Sequence, residues 1–298
     1  MSAASFSSGK GHRDENFPVA SFLIRKQYRP IILAFYRFAR AADDIADDPR
    51  AERAEKLHLL ENMWRTLHGE ADLSAEATKL RDILAREYLT PQHALQLLEA
   101  FRRDVTKLRY ANWDELMEYC RYSAMPVGRF VLDVHRESRA AWPASDALCA
   151  ALQVINHLQD CGKDFRNLDR VYIPLDALQE RGLEPTALDA ARSPPALQQV
   201  IAQIARRNSS LLAQSRPFSN QIADHRLALE VGLIQRLAED LNRRLLTQDP
   251  LSERVHHNML ESTGCALAAI AEFLATRRRA KASRLALSHH PHETAHGD

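Results

Sequence analysis

The sequence predicts an all-α protein, and three observations carry that prediction. Only nine glycines occur in 298 residues. Long runs rich in Ala, Leu, Arg, Glu and Gln, all strong helix formers, occupy most of the chain. Alternating β-branched runs bounded by turn residues, the mark of strands, are nearly absent.

The elements follow in order. Residues 1–14 are polar and Ser-rich and are expected to be a disordered tail; one domain is expected over 15–280. A first helix over 17–48 carries the apolar run Ile31 to Phe38 and stops before Pro49. Helices over 50–68 and 74–87 flank a loop near Gly69. Thr90-Pro91 starts a helix over 91–107, because Pro is tolerated in a first turn. The next, 112–138, contains Pro126 and Gly128, which bend it. Ser145 reads as the start of 145–165. The segment from Asp164 to Pro174 reads as a loop able to close on a charged ligand, before a short helix over 175–180. Helices over 195–214, 220–246 and 253–278 complete the bundle, with Pro195 and Pro250 at the breaks. Residues 281–298 are a second expected tail, whose histidines read as solvated rather than metal-binding.

Composition narrows the function. Lys and Arg (40) nearly balance Asp and Glu (39), so no global field favours nucleic acid. Cys120, Cys149, Cys161 and Cys265 show no CxxC spacing and read as reduced thiols of a cytoplasmic protein. No signal-peptide core is present, and no window approaches the roughly 18 apolar residues of a membrane span. The basic end of the last predicted helix, Arg277-Arg278-Arg279, reads as a solvated terminus, the alternative being peripheral attachment at the inner membrane surface.

Two carboxylate stripes carry the chemistry. Asp43 and Asp47, with Asp44 beside them, lie one helical turn apart, as do Asn156, Asp160 and Asp164. Like charges at this spacing disfavour a helix, and a cation that gathers them offsets the cost. Oxygen-only ligands suit Mg²⁺, which rarely sits in an all-protein cage and typically bridges carboxylates to substrate phosphates. Arg40, one turn before Asp44, is placed to hold phosphate oxygens. Solvated acidic patches are the bland alternative. Between the stripes, Ser123, Ala124, Val127, Gly128 and Val131 form a face of small residues. That face suits close helix packing and an apolar ligand groove equally.

Three segments resemble the squalene/phytoene synthase family. They are Tyr36 to Asp47, the central helix from Tyr119 through Gly128, and Gln153 to Pro174. Within the family, Glu15 to Ser21 and Asp169 to Pro174 look most like the hydroxysqualene synthases of bacterial hopanoid pathways. The resemblance implies an isoprenoid-synthase helical bundle with a central cavity. It implies that Asp43, Asp47, Asn156, Asp160 and Asp164 are metal or diphosphate ligands, with two or three Mg²⁺ ions alongside bound diphosphate and no NADPH. Tyr36, Arg40, Arg170 and Tyr172 would surround the diphosphate, with Asp44 helping. Asn16 and Phe17 would lie at the mouth. Ser123, Ala124, Val127, Gly128 and Val131 would line the isoprenoid tunnel, and Tyr119 and Gln153 would bind substrate. Lys163 stands where relatives often carry Glu and lowers the negative charge of the second stripe.

The implied reaction is Mg²⁺-assisted ionisation of presqualene diphosphate and water capture of the rearranged carbocation, giving hydroxysqualene. Head-to-head condensation of prenyl diphosphates is the alternative enzyme. A non-catalytic assembly or binding protein is the alternative of another class.

Overall fold

The computed structural model describes residues 24–257. Its α-helices are α1 Arg29–Asp47, α2 Arg53–Leu67, α3 Ala75–Arg86, α4 Gln92–Thr106, α5 Trp113–Ser123 and α6 Met125–Val134. They continue as α7 Trp142–Gln159, α8 Cys161–Leu168, α9 Leu175–Gln179, α10 Pro195–Ser215, α11 Phe218–Gln221 and α12 His225–Arg244. Among the described residues there is no strand, only an isolated parallel bridge between Arg109 and Val171. No described helix is long and apolar enough to cross a membrane.

Local chemistry sets the helix starts. Proline occupies the first turn of α1, α6, α7 and α10, where its missing N–H leaves no intrahelical bond unmade. Side-chain caps start others: Asn112 accepts from the Glu115 N–H at 3.0 Å, and Asp224 from the Arg226 N–H at 2.9 Å.

Several boundaries differ from the sequence expectation. α1 begins at Arg29, after a turn, and the expected residues 17–23 lie outside the described range. The expected helix over 112–138 is two helices that break at Ala124, because the first turn of α6 is built on Pro126. α7 starts at Trp142, where Pro143 and a preceding turn capped by Ser138 set its direction; Ser145 is an interior, buried residue. The chain remains helical after Asp164 as far as Leu168, then turns through Asp169 in the left-handed conformation (φ 50°). The 220–246 stretch is divided by the Asp224 cap into α11 and α12. Residues 253–257 are not helical, and the remainder of the expected last helix lies outside the described residues, as do Asn16, Phe17, Cys265, the basic cluster and both tails. Cys120, Cys149 and Cys161 are free thiols.

Two apolar clusters form the interior. α1 to α4 bury Phe35, Phe38, Leu60, Met63, Leu80 and Leu97 together. α5, α7, α10 and α12 bury Leu116, Val154, Ile155, Ile201 and Leu241. Each such side chain contributes about 1.5–3 kcal/mol relative to exposure. α6 joins the two, giving Phe130 and Val134 to the first cluster and Leu132 to the second. Phe130 stacks on Phe35 with ring centres 3.9 Å apart and planes 11° from parallel. Asp43 and Asp47 stand on α1 of the first cluster and Asn156 on α7 of the second.

Candidate active site

The two stripes face one polar cavity of about 440 Å³. Asp43 and Asp47 enter from α1; Asn156, Asp160 and Asp164 enter from α7, its end and α8. Asp160 leaves helical geometry, yet its N–H donates to the Asn156 carbonyl at 2.9 Å and the Asp164 N–H donates to its own carbonyl at 2.8 Å. The one-turn spacing therefore persists across the junction of α7 and α8, and the stripe stays on one side. Gln153, Lys163 and Ser123 line the same cavity.

Crowding these carboxylates disturbs their proton affinity. Asp43 keeps 36% of its side chain open to the cavity while protein surrounds it otherwise; that burial, reinforced by Asp47, pushes its carboxyl up to about 7. Burial and then Asp160 push Asp164 up to about 7 in the same way. Arg170, itself buried, sits between the stripes and donates from Nη1 to Asp47 at 2.5 Å. Its other nitrogens donate to the carbonyls of Asp104 and Ala46, both at 3.1 Å.

Asp104 is the acid that sequence reasoning missed. Buried at the end of α4, it accepts from Tyr119 Oη at 2.9 Å and Tyr172 Oη at 2.8 Å. Burial pushes it up to about 6. The signal was its register: His93, Leu97, Ala100 and Asp104 alternate in steps of four and three along the inward stripe of α4, where a carboxylate is out of place. His157 was also passed over. Its ring stacks on Tyr172 with centres 3.6 Å apart, and its ring nitrogen is 3.0 Å from Gln153 Nε2. Burial lowers its basicity to about 3, so it is a neutral aromatic wall at neutral pH.

Three expected contacts are placed elsewhere. Arg40 lies beside the first stripe, paired with Asp43 at 3.0 Å and Asp44 at 2.6 Å, so its guanidinium organises carboxylates. Asp44 therefore faces Arg40 rather than the polar cavity. Tyr36 lines the neighbouring apolar cavity instead.

That second cavity, about 330 Å³, is walled by α1, α6, α7 and α12. Val127, Gly128 and Val131 line it, together with Phe35, Leu152 and Ile234. Gly128 also satisfies the packing reading. A Cβ there would sit 2.6 Å from Cys149 Sγ and closer still to Ser145 Oγ, so its bare backbone lets α6 approach α7. Ala124 is buried in the wall. Asn156 lines both cavities and joins them.

The donor set fits Mg²⁺. It offers only carboxylate and amide oxygens, and burial first, then neighbouring carboxylates, raises the proton affinity of Asp43 and Asp164. Among the described residues no group of three or more His, Cys, Asp or Glu side chains is arranged to hold a metal ion by itself. Open half-sites of this kind suit an ion that completes its shell with phosphate oxygens and water.

A family model for squalene/phytoene synthase matches residues 11–261. Hydroxysqualene synthase of Zymomonas mobilis is 56% identical over 273 residues, which cover 91% of this chain and 92% of that protein. Hydroxysqualene synthase of Rhodopseudomonas palustris is 54% identical over 260 residues, covering 87% and 89%. The crystal structure of squalene synthase HpnC from Alicyclobacillus acidocaldarius superposes with a TM-score of 0.67 at 32% identity, covering 76% of this chain and 86% of that one.

Proposed function

The chain belongs to the squalene/phytoene synthase family, and on that premise we propose that it converts presqualene diphosphate to hydroxysqualene. The all-α isoprenoid-synthase fold is shared with the solved relative. Enzymes of this family process prenyl diphosphates, and the relatives from Zymomonas and Rhodopseudomonas bear the hydroxysqualene synthase name. The observation that carries the finer reading is the pairing of a carboxylate-lined cavity with an apolar one through Asn156. A diphosphate head and a hydrocarbon tail need that division.

Asp43, Asp47, Asn156, Asp160 and Asp164 would hold Mg²⁺, with a diphosphate supplying the remaining oxygens. Bound there, the ion supplies Lewis-acid stabilisation of the leaving diphosphate. Arg170 and Lys163 add fixed positive charge where negative charge develops. Tyr119, Tyr172 and neutral His157 present aromatic faces beside the head-group, which favour a cation without trapping it as a base would. Arg40 orients Asp43 and Asp44. Val127, Val131, Leu152 and their neighbours keep bulk water off the chain. The reaction needs no reductant, so no NADPH site is proposed.

Purified protein incubated with Mg²⁺ and presqualene diphosphate, without NADPH, should give hydroxysqualene. Turnover of farnesyl diphosphate alone would instead make it a head-to-head condensing enzyme, a reading favoured by the squalene synthase name of the Alicyclobacillus relative. Turnover of neither would support a binding role.

A further inference from the structure

One end of the bundle carries two backbone outliers side by side. Tyr88, just after α3, is 91% exposed and holds a left-handed backbone (φ 55°), where glycine is the ordinary residue. Arg136, just after α6, is left-handed too (φ 58°), and its Nη2 donates to the Glu87 carbonyl at 2.7 Å, fastening the two turns together. The strained position next to that contact thus displays an aromatic ring to solvent instead of burying it. Local rules of this kind are broken chiefly at functional positions.

The segments around Tyr88 are tied into one face. Tyr28 packs on His135 with ring centres 4.4 Å apart. Glu137 accepts from the N–H groups of Ala223 and Asp224 at 2.8 and 2.7 Å, and Arg25 pairs with Asp224 at 2.8 Å. The turn Arg139–Ala141 packs on α11. Lys26, Arg86, Arg136 and Arg139 are exposed here. The acids among them are engaged: Glu87 with Arg86, Asp133 with His93, Glu137 with backbone N–H groups, Asp224 with Arg25 and the start of α12. α1, α7 and α12 begin at this end and α6 finishes there. Ile24, Phe218 and Leu227, which line the apolar cavity, are therefore close behind the face, whereas Asp43, Asp47 and Asn156 lie farther along their helices.

We propose that this face docks on an anionic phospholipid bilayer, with Tyr88 entering the headgroup layer and the surrounding cations facing lipid phosphates. Arginine and lysine gain from the negative potential of such a surface. Tyrosine suits the boundary, because its ring is apolar and its hydroxyl end stays wet. The contact is peripheral, since no described helix is long and apolar enough to cross a membrane. Docking itself needs only this surface. Its benefit, a short path for an oily product from cavity to lipid, rests on the hydroxysqualene reading.

The test is co-sedimentation of the full chain, without substrate, with vesicles of phosphatidylcholine alone or mixed with phosphatidylglycerol. Wild type should partition to the mixed vesicles, less so as salt rises, and little to the neutral ones. Lys26→Gln, Arg86→Gln and Arg139→Gln together should weaken binding about a hundredfold, at about fivefold per cation, with a melting temperature near wild type. Tyr88→Gly should also weaken binding while raising the melting temperature, because glycine relieves the left-handed strain. Changing Arg277, Arg278 and Arg279 to Gln tests the other basic cluster and should leave most of the binding in place. Failure of wild type to bind the mixed vesicles, equal binding to neutral ones, or loss confined to the Arg277–Arg279 variant overturns the proposal. Vesicle binding by a protein that does not turn over presqualene diphosphate would remove the functional reading and leave the docking face standing.

Discussion

Arg170 reaches across 123 positions of sequence to Asp47, with Nη1 2.5 Å from the carboxylate. Through this contact the segment after α8 is tied to the end of α1, and thereby one apolar cluster to the other. Because the same guanidinium also serves two backbone carbonyls, a single ammonium cannot replace it. Arg170→Ala should cost about 3 kcal/mol in urea unfolding, toward the lower end for a buried pair because Asp47 stays partly open. Arg170→Lys should recover less than half of that.

The two phenols on Asp104 predict a graded loss. Asp104→Ala strands Tyr119 Oη and Tyr172 Oη in the interior, at about 1–3 kcal/mol each. Asp104→Asn keeps one good acceptor and should cost roughly half as much. In an Asp104→Ala background, changing both tyrosines to Phe should restore part of the stability. If the three changes simply add, the network is not what holds Asp104 there.

Removing a site carboxylate should separate activity from stability. Asp43→Asn deletes a charge that Asp47 repels, so the melting temperature should hold or rise while diphosphate release falls by at least about 10³-fold. Asp160→Ala should behave similarly, since Asp164 is then relieved. Near-normal release in both variants would refute the metal assignment.

The metal-free protein should lose stability as pH rises from about 4 to 7. Asp43 and Asp164 near 7, and Asp104 near 6, bind protons more tightly folded than at their ordinary 3.8. Folding therefore takes up protons through that window, and the stability these groups provide disappears above it. His157 acts oppositely: depressed from 6.5 to about 3, it costs stability as pH falls below its unfolded value. Burial also lowers His135 and His256, though less, and they act with His157; the three strongly raised carboxyls outweigh these histidines, so melting temperatures in EDTA should decline toward pH 7.5, and Mg²⁺ should flatten the slope. A rising curve in EDTA would contradict the burial of these acids.

Gly128→Ala should destabilise by about 1–3 kcal/mol, because the new methyl forces α6 off α7. Trimming the opposing surface with Ser145→Gly and Cys149→Ala should recover most of it. Circular dichroism melts of the variants would show this.

How much was legible in the sequence depended on how local each signal was. The stripes could be read because one-turn spacing is written within five or nine residues, and the fold keeps it even through the break at Asp160. Helix content was equally local. The partition of polar residues between two cavities was not: Tyr36 and Asp43 share α1 but face different cavities, a matter of which helix packs against each side. Arg40 reads as a phosphate ligand from its place one turn before Asp44, and the same spacing lets it pair with Asp43 and Asp44. Asp104 is easily passed over because an acid on a helix normally faces solvent; its place on the inward stripe of α4 is the one local sign that it does not.

Asn156 is the sole residue lining both cavities among those described. If the chain acts as proposed, substitutions in the aliphatic wall would redirect the fate of an intermediate while leaving the diphosphate-binding side as it is, and the reverse would also hold. A lineage could diversify its products one wall residue at a time without passing through an inactive ancestor. Laboratory evolution of product choice would do well to leave this amide alone and begin on α6 and α12.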